Sequence, residues 1–219
     1  MNFEIASIIP FSLVAFSSIF FLVDPFAAIP AFLVMTAHAD TRRRRRMALR
    51  AAITCFVVLT AFALAGSLIF KFFGITLPAF KIAGGLILLL IGLDMLQAKH
   101  STTKETPGEM QEGANKDDVG IIPLGIPMLA GPGAISSVMV LMGQSPRWEQ
   151  AVPVFIAIAV TALAAFLILA AADRVGRYLG QTGIHILMRL MGLLLVAIAV
   201  QFVLNGLTDV GIIASHVQR

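Results

Sequence analysis

Six long apolar stretches occupy most of this chain of 219 residues and leave little sequence between them. Each is long enough to cross a hydrocarbon core of about 30 Å as an α-helix of roughly 20 residues. Hydrophobic residues make up 58% of the chain and charged residues only 13%, a balance that a soluble domain of this size does not need. The sequence therefore predicts an all-α membrane protein with six transmembrane helices. The stretches cover residues 8–37, 47–73, 78–97, 119–142, 151–172 and 186–207.

Two of the six stretches, the first and the fourth, are interrupted near their middles by proline with an acid or glycine. The interruptions are Asp24-Pro25 and Gly131-Pro132-Gly133. Helix breaks in corresponding segments of two halves are typical of secondary transporters, where discontinuous helices expose backbone groups to a ligand near the bilayer midplane. We therefore predict that helices 1 and 4 are broken near the midplane and that the breaks form a substrate site.

The two halves of the chain share further features. Lys81-Ile82-Ala83-Gly84 in the third stretch resembles Arg189-Leu190-Met191-Gly192 in the sixth, and a Gly-x-Thr motif precedes each, at Gly74 and at Gly180. Because three spans are an odd number, a second copy must enter the membrane from the opposite face. We predict two inverted three-helix repeats, at residues 1–97 and 119–219, joined by a polar cytoplasmic linker at residues 98–118.

Positive charges predict the orientation of the chain. Arg42–Arg46 and Arg50 follow the first stretch, and further basic residues lie in the third and fifth connections. The positive-inside rule then places both termini outside the cytoplasm, which means in the periplasm for a protein of the bacterial inner membrane. An arginine run can also bind RNA or anionic lipid, but a topology signal is the plainer interpretation, and we expect no nucleic-acid partner. Four basic residues fall on the other side: Lys71, Lys81, Arg147 and Arg219.

Asp24 is the one carboxylate that falls deep within an apolar stretch. Placing an aspartate at the centre of a membrane helix costs about 2.5 to 3.5 kcal/mol, so such a residue is a candidate for function. Aspartate before proline is also the signature of a helix start, with Asp24 as N-cap and Pro25 as the first helical residue. The two roles are compatible, and we predict that Asp24 contacts the substrate and takes part in coupling.

The pair of breaks predicts a site for a zwitterion. Free amide groups at the starts of two half-helices suit a carboxylate, while Asp24 or unwound carbonyl groups suit an ammonium group or a coupling cation. The residues around the breaks are small, so an amino acid bound there should have a small side chain. Besides Asp24, Pro25 and Pro132, the predicted site contains Ala27, Ala28, Ala130, Gly131, Gly133 and Ala134, with Gln201 of the sixth stretch as a further member.

Other classes of protein fit the sequence less well. An intramembrane enzyme needs a nucleophile with a base, or a set of metal ligands, at helical spacing, and the histidines fall at or beyond the ends of the stretches. We expect no enzymatic activity, cofactor or metal site. A channel or an exporter of broader specificity stays open as an alternative, because broken helices also line pores. The sequence also leaves the oligomeric state open, a homo-oligomer included.

These motifs resemble the MarC family of six-helix inner-membrane proteins of bacteria and archaea. The likeness covers most of the chain and is carried by Asp24-Pro25 with Pro30, by residues 122–135, and by Arg189-Leu190-Met191-Gly192 with Gln201. The resemblance implies a secondary transporter, related in architecture to LysE-like exporters, for small neutral amino acids such as glycine and alanine, with proton coupling. It also implies that the segments from Asp24 to Pro30 and from Ala130 to Ala134 form the substrate site.

The chain departs from the family pattern at two points. Many relatives carry Gly-Asn before the second proline, where this chain has Ala27-Ala28, and a glutamate often stands where this chain has Met188. The first departure removes an amide side chain from beside the break and bears on the range of substrates. We expect serine-sized or smaller neutral amino acids, moved by alternating access in symport or antiport with a proton or cation.

Overall fold

The computed structural model describes residues 2–37, 39–97, 120–122, 124–145 and 148–212, and within these ranges the chain is helical. The predicted linker at residues 98–118 lies outside the described residues. The described helices are α1 (Asn2–Val23), α2 (Ala28–Met35), α3 (Thr41–Phe73), α4 (Leu77–Leu96), a π-helical segment (Leu124–Leu129), α5 (Pro132–Gly143), α6 (Trp148–Ala170) and α7 (Ala172–Asp209).

Four of these helices are long and apolar enough to cross a membrane. They are parts of α3, α4, α6 and α7, and the pair α1 and α2 makes a fifth span if its two members are counted together, with a bend of 44° between them. The fourth predicted stretch is divided into the π-helical segment and α5, which has only 12 residues. Proline and glycine at residues 127, 131 and 132 account for this division because they remove backbone donors and favour non-helical conformations. The all-helical membrane class is thus confirmed, and both predicted breaks are present.

Local sequence signals set the helix ends. Asp40 caps α3 by accepting a hydrogen bond from the Arg43 amide at 2.8 Å, and Gly74 ends α3 in the left-handed conformation at φ 64°. Thr76 then caps α4 by accepting from the Ala79 amide. In the second half, Gly180 also adopts a positive φ of 60° and interrupts α7. Both Gly-x-Thr glycines have a positive φ, but Gly74 is in the left-handed helical region at ψ 23° whereas Gly180 is extended at ψ −178°, so the two turns differ.

The most extensive helix contact joins α4 to α7, which run antiparallel. Glycines allow the two backbones to approach closely: a methyl group on Gly92 would lie 3.1 Å from the Gly192 carbonyl oxygen, and one on Gly192 would lie 2.9 Å from that of Gly92. At one end of the pair, Lys81 Nζ and Asp209 Oδ2 form an ion pair at 2.6 Å. Small residues at a crossing of this kind are typical of membrane helices.

Positive charges are divided between the two ends of the bundle. Arg44, near the start of α3, forms an ion pair with Asp173, near the start of α7. The Arg45 guanidinium lies 5.9 Å from the centre of the Phe166 ring, near the end of α6. Lys71 lies in the last turn of α3, at the opposite end of that helix. The arginine run is therefore separated from Lys71 along the bundle axis, as the sequence predicts.

Candidate functional site

The first helix break is centred on Asp24. The helix α1 ends at Val23, the Asp24 amide donates to the Phe20 carbonyl at 3.0 Å, and a turn leads to the start of α2 at Ala28. Asp24 has a φ of 47°, in the left-handed region that aspartate and asparagine enter more readily than other side chains. Aspartate at this position therefore suits the left-handed backbone conformation of the break, in addition to supplying a negative charge there.

The Asp24 side chain is buried and bonded to the turn that follows it. Its exposed fraction is 2%, and its Oδ1 accepts a hydrogen bond from the Ala27 amide at 3.2 Å. This contact is the N-cap arrangement in which a side-chain oxygen satisfies an amide three residues later. The predicted capping role is present, in a turn that precedes α2 rather than in α2 itself.

The second break separates the π-helical segment from α5. Within the segment, Ile126 has an extended backbone at φ −134° and ψ 126°, and Ala130 closes it by donating to the Gly125 carbonyl at 3.0 Å. Gly131 is extended at φ −78° and ψ 171°, and Pro132 begins α5. The wide π-helical turn followed by an extended residue redirects the chain before the short helix starts.

The start of α5 presents backbone amides that its N-cap residue does not satisfy. An α-helix leaves its first amide groups without intrahelical acceptors, and in α5 these include Gly133 and Ala134, since Pro132 has no N–H. Gly131 has no side chain with which to cap them. Ala134 is completely buried, so these amides lie in the protein interior at the positive end of a helix dipole.

The fold brings the two breaks together. A methyl group on Gly133 would lie 3.8 Å from Leu22 Cδ2, two residues before Asp24, and 2.5 Å from Leu88 Cδ2 of α4. The breaks are 107 residues apart in the sequence, so their contact is a property of the tertiary structure. Among the predicted site residues, Pro25, Ala28, Ala130, Gly131, Gly133 and Ala134 are buried with Asp24, while Ala27, Pro30 and Pro132 are half-buried.

The glycines of the second break have a different role from the one that the sequence suggests. Glycines at a helix start can leave room for a ligand to approach the backbone, but here Leu88 fills the space beside Gly133. A methyl group on Gly131 would lie 2.7 Å from the Pro127 carbonyl oxygen. The glycines are required here by close packing, and a ligand can reach the amides of α5 only if neighbouring side chains move.

Gln201 is placed apart from the two breaks. Its side chain is exposed, and its Nε2 donates to Asn205 Oδ1 of the same helix at 2.7 Å. Ala199 and Val203 of α7 pack on Gly85 of α4, and helical periodicity puts Gln201 on nearly the opposite face. The structure thus does not bring Gln201 together with Asp24 and the start of α5.

Thr60 of α3 is not singled out by the sequence. It lies at the height of the second break but, by helical spacing, on the same face of α3 as Ile53 and Val57. Its buried hydroxyl has no hydrogen-bond partner among the described residues, a condition shared with the hydroxyls of Ser137 and Thr161. Gly125 packs on Thr54, and Gly66 packs on Met139, so α3 runs alongside the second break in the same direction. Thr60 lies midway between Thr54 and Gly66, at the level of Pro132. A threonine in an apolar stretch was the only signal available in the sequence.

Comparison with known proteins gives the family. Residues 9–210 match the model of the MarC family integral membrane proteins. The chain belongs to the MarC family. This MarC protein is 38% identical to a UPF0056 membrane protein of Aquifex aeolicus over 89% of its own length and 91% of the relative. It is 41% identical to the UPF0056 membrane protein MJ1677 of Methanocaldococcus jannaschii, over 89% and 95% of the two chains.

A relative from Escherichia coli, the UPF0056 membrane protein YhcE, is 34% identical to this MarC protein over 89% of the chain and 91% of the relative. No solved structure matches the chain. The names of these relatives describe membrane proteins and specify no substrate, so the chemistry of this MarC protein must be argued from its own residues.

Proposed function

We propose that this protein is a secondary active transporter of small neutral amino acids of the glycine, alanine and serine type. The observation that carries the proposal is the approach of the two helix breaks, where Leu22, two residues before the buried Asp24, packs on Gly133 at the start of α5. Discontinuous helices that meet inside a membrane protein are the usual setting for a transported ligand.

The two breaks differ in charge character, and this difference orients a zwitterion. At the first break, the Asp24 carboxylate already accepts from the Ala27 amide and offers negative charge to an ammonium group. At the second break, Gly133 and Ala134 offer amide donors at a helix N-terminus, where no side-chain cap competes for them. The substrate carboxylate would therefore lie at α5 and its ammonium group near Asp24.

The residues around the breaks limit the size of the substrate. Ala28, Ala130 and Ala134 are almost fully buried, with exposed fractions of 3%, 1% and 0%. Because Leu88 fills the space beside Gly133, a ligand would reach the start of α5 after helices move apart, which fits alternating access. A side chain larger than that of serine would require a further displacement of the packed alanines.

Coupling to a proton or a cation would use Asp24. The Asp24 carboxylate is only 2% exposed in an apolar bundle. A buried negative charge is costly unless a proton or a cation neutralises it, so movement of the substrate should be accompanied by one of these. Binding of an ammonium group and release of a proton at the same carboxylate would link the two fluxes. This competition at one carboxylate would make the linkage an antiport, whereas symport would require a proton or cation that binds together with the substrate.

The proposed architecture in the membrane has six spans arranged as two inverted three-helix repeats. Three features support it: a break in the first and in the fourth stretch, a positive-φ glycine at Gly74 and at Gly180, and the antiparallel pairing of α4 with α7. The π-helical segment and α5 together would form the fourth span. The arginine-rich end would face the cytoplasm of a bacterial cell, with both termini on the periplasmic side of the inner membrane.

The direct test is the uptake of radiolabelled glycine and alanine into proteoliposomes, with and without an imposed pH gradient. We expect saturable uptake that the gradient accelerates, with competition among glycine, alanine and serine. Asp24→Asn should abolish uptake or uncouple it from the gradient. Gln201→Ala, a change on an exposed side chain, should leave the apparent KM unchanged.

Three results would contradict the proposal in different ways. Failure to transport either amino acid under any gradient would remove the substrate assignment. Fast flux that does not saturate would favour a channel. Chemical conversion of a substrate by the detergent-solubilised protein, where no gradient exists, would favour an enzyme.

A further inference from the structure

A second candidate site lies far from the helix breaks, at the arginine-rich start of α3. A cavity of about 270 Å³ is lined there by Asp40, Arg42, Arg43, Arg46, Met47 and Arg50. Among the described residues, four arginines and one aspartate thus line the cavity. The Asp40 carboxylate is engaged as the N-cap of α3, since its Oδ1 accepts from the Arg43 amide at 2.8 Å. Positive side chains therefore outnumber negative ones in the described lining of the cavity.

Two arginines of this run, Arg44 and Arg45, are not part of the cavity lining. Arg44 and Arg45 serve the fold, because Arg44 bonds to Asp173 and to the Thr36 carbonyl oxygen, and Arg45 lies over the Phe166 ring. The four that line the cavity lie along the first turns of α3. A topology signal needs only positive charge, whereas arginines around a cavity make a site that can hold a bidentate anion.

The cavity is continuous with an exposed apolar stripe on the same helix face. In a helix with 3.6 residues per turn, Arg42, Arg46 and Arg50 share a face with Ile53 and Val57. The exposed fractions of Ile53 and Val57 are 52% and 55%, and Leu64 and Leu68 continue the stripe at 61% and 69%. Guanidinium groups therefore lie at one end of this face, and apolar side chains follow along its length.

The length of α3 puts this face across the edge of a bilayer. Its 33 residues span about 50 Å at 1.5 Å per residue, well beyond a hydrocarbon core of about 30 Å. The first turns, which carry the arginines, would then extend into the headgroup layer. Ile53 and Val57 would lie beside the acyl chains.

We infer that this face of α3 binds an anionic phospholipid. The lipid phosphate occupies the cavity between Arg42, Arg43, Arg46 and Arg50, and an acyl chain lies along Ile53 and Val57. A free phosphate ion would use the cavity but not the stripe, so the combination favours the lipid. Basic clusters next to membrane helices bind anionic lipids because their positive side chains lie at the level of the negatively charged phosphate headgroups.

The experiment is native mass spectrometry of the full chain in a neutral detergent. It is titrated with phosphatidylglycerol and, separately, with phosphatidylcholine of the same acyl chains. We expect phosphatidylglycerol to bind more tightly. Arg46→Gln with Arg50→Gln should weaken it about 30-fold, since each basic residue near an anionic headgroup contributes about fivefold. Inorganic phosphate and glycerol 3-phosphate are added as soluble competitors.

A matched control removes the same charge from the same end of the bundle. The control is the double variant Arg174→Gln with Arg177→Gln. These two arginines follow Asp173, the partner of Arg44, in the sequence and do not line the cavity. This pair should change the phosphatidylglycerol affinity by no more than about twofold. The double variant Arg46→Lys with Arg50→Lys keeps both charges and gives a folded comparison if the glutamine pair is unstable. Its affinity for phosphatidylglycerol should fall between those of the glutamine pair and the control pair.

Four outcomes would overturn the inference. Equal binding of the two lipids would remove the preference for negative charge. Full affinity in both the glutamine and lysine pairs would remove the cavity from the site. An equal loss in the control pair would reduce the effect to net charge. Displacement of phosphatidylglycerol by inorganic phosphate would identify a phosphate site without a lipid requirement.

Discussion

At the scale of single residues, Asp24 combines three properties that different substitutions can separate. Its carboxylate supplies charge, its Oδ1 accepts from the Ala27 amide, and its backbone adopts a φ of 47°. Asparagine keeps the acceptor and tolerates the left-handed conformation but is neutral, whereas alanine loses all three properties. The pair of variants therefore distinguishes a structural role from a functional one.

We predict that Asp24→Asn leaves the thermal unfolding temperature in detergent close to that of the wild type and abolishes gradient-driven uptake. Asp24→Ala should lower the free energy of unfolding by about 2 kcal/mol or more, from the lost cap and the strained φ. Thermal unfolding and uptake are measured on the same preparations. Equal destabilisation by both substitutions would mean that the charge itself holds the break together.

A hydroxyl at the level of the second break offers an independent prediction. The buried Thr60 hydroxyl has no hydrogen-bond partner among the described residues, so Thr60→Val should leave stability unchanged or raise it by up to about 1 kcal/mol. If Thr60 contacts the substrate, the KM for glycine should rise several-fold. The control is Thr208→Val, because the Thr208 hydroxyl donates to the Leu204 carbonyl near the end of α7. An unchanged KM in Thr60→Val would exclude Thr60 from the site.

These residues also mark the limit of prediction from sequence at this scale. Asp24 stands out because a carboxylate within an apolar stretch is expensive, and its capping role follows from the adjacent proline. Thr60 does not stand out, because threonine is common in membrane helices and the burial of its hydroxyl depends on how α3 packs. Gln201 is polar at the right depth, yet helix rotation, which its own residue type does not determine, exposes it.

At the scale of helices, the closest packing is the crossing of α4 and α7. A methyl group on Gly192 would lie 2.9 Å from the Gly92 carbonyl oxygen, the Leu96 amide nitrogen and Met95 Cβ. Two of these three atoms belong to the backbone and cannot rotate away. The crossing therefore tolerates no side chain at this position without separation of the two helices.

We predict that Gly192→Val lowers the free energy of unfolding by about 1 to 3 kcal/mol, the usual cost of overpacking. Ala197→Val is the control, since Ala197 lies on the exposed face of the same helix and its enlargement meets no neighbour there. Thermal unfolding in detergent, followed by size-exclusion chromatography, measures both variants. Similar unfolding temperatures for the two would show that the crossing is looser than its glycines indicate.

Helix boundaries can be predicted from the sequence where glycine, proline or a capping side chain marks the end of a helix. Gly74 and Thr76 separate α3 from α4 as expected, and Asp24-Pro25 interrupts the first stretch. In the fourth stretch, the break at Gly131-Pro132-Gly133 is predicted from the sequence, whereas the π-helical turn before it is not. The π-helical turn depends on how Gly125 packs against Thr54, a tertiary contact that hydropathy does not contain.

At the scale of the whole molecule, the bundle has two chemically distinct ends. The arginine run of α3 and Asp173 lie at one end, and Lys71 in the last turn of α3 lies at the other. Charge counting alone predicts this division, because basic residues are costly to move across a bilayer. The contact between the two breaks could not be predicted in the same way, since it depends on how α1, α4 and α5 pack together.

The orientation of these ends can be measured with single cysteines. The native Cys55 is fully buried, so it should react slowly with a membrane-impermeant maleimide. Tyr178, near the arginine-rich end, is 97% exposed, and Lys71 is exposed at the other end. We predict that Lys71→Cys is labelled in intact bacterial spheroplasts, whereas Tyr178→Cys is labelled only after the membrane is permeabilised. The unsubstituted chain should stay unlabelled in both conditions. The reverse pattern would place the arginine run outside the cell, where the positive-inside rule does not allow it, and would invert the proposed topology.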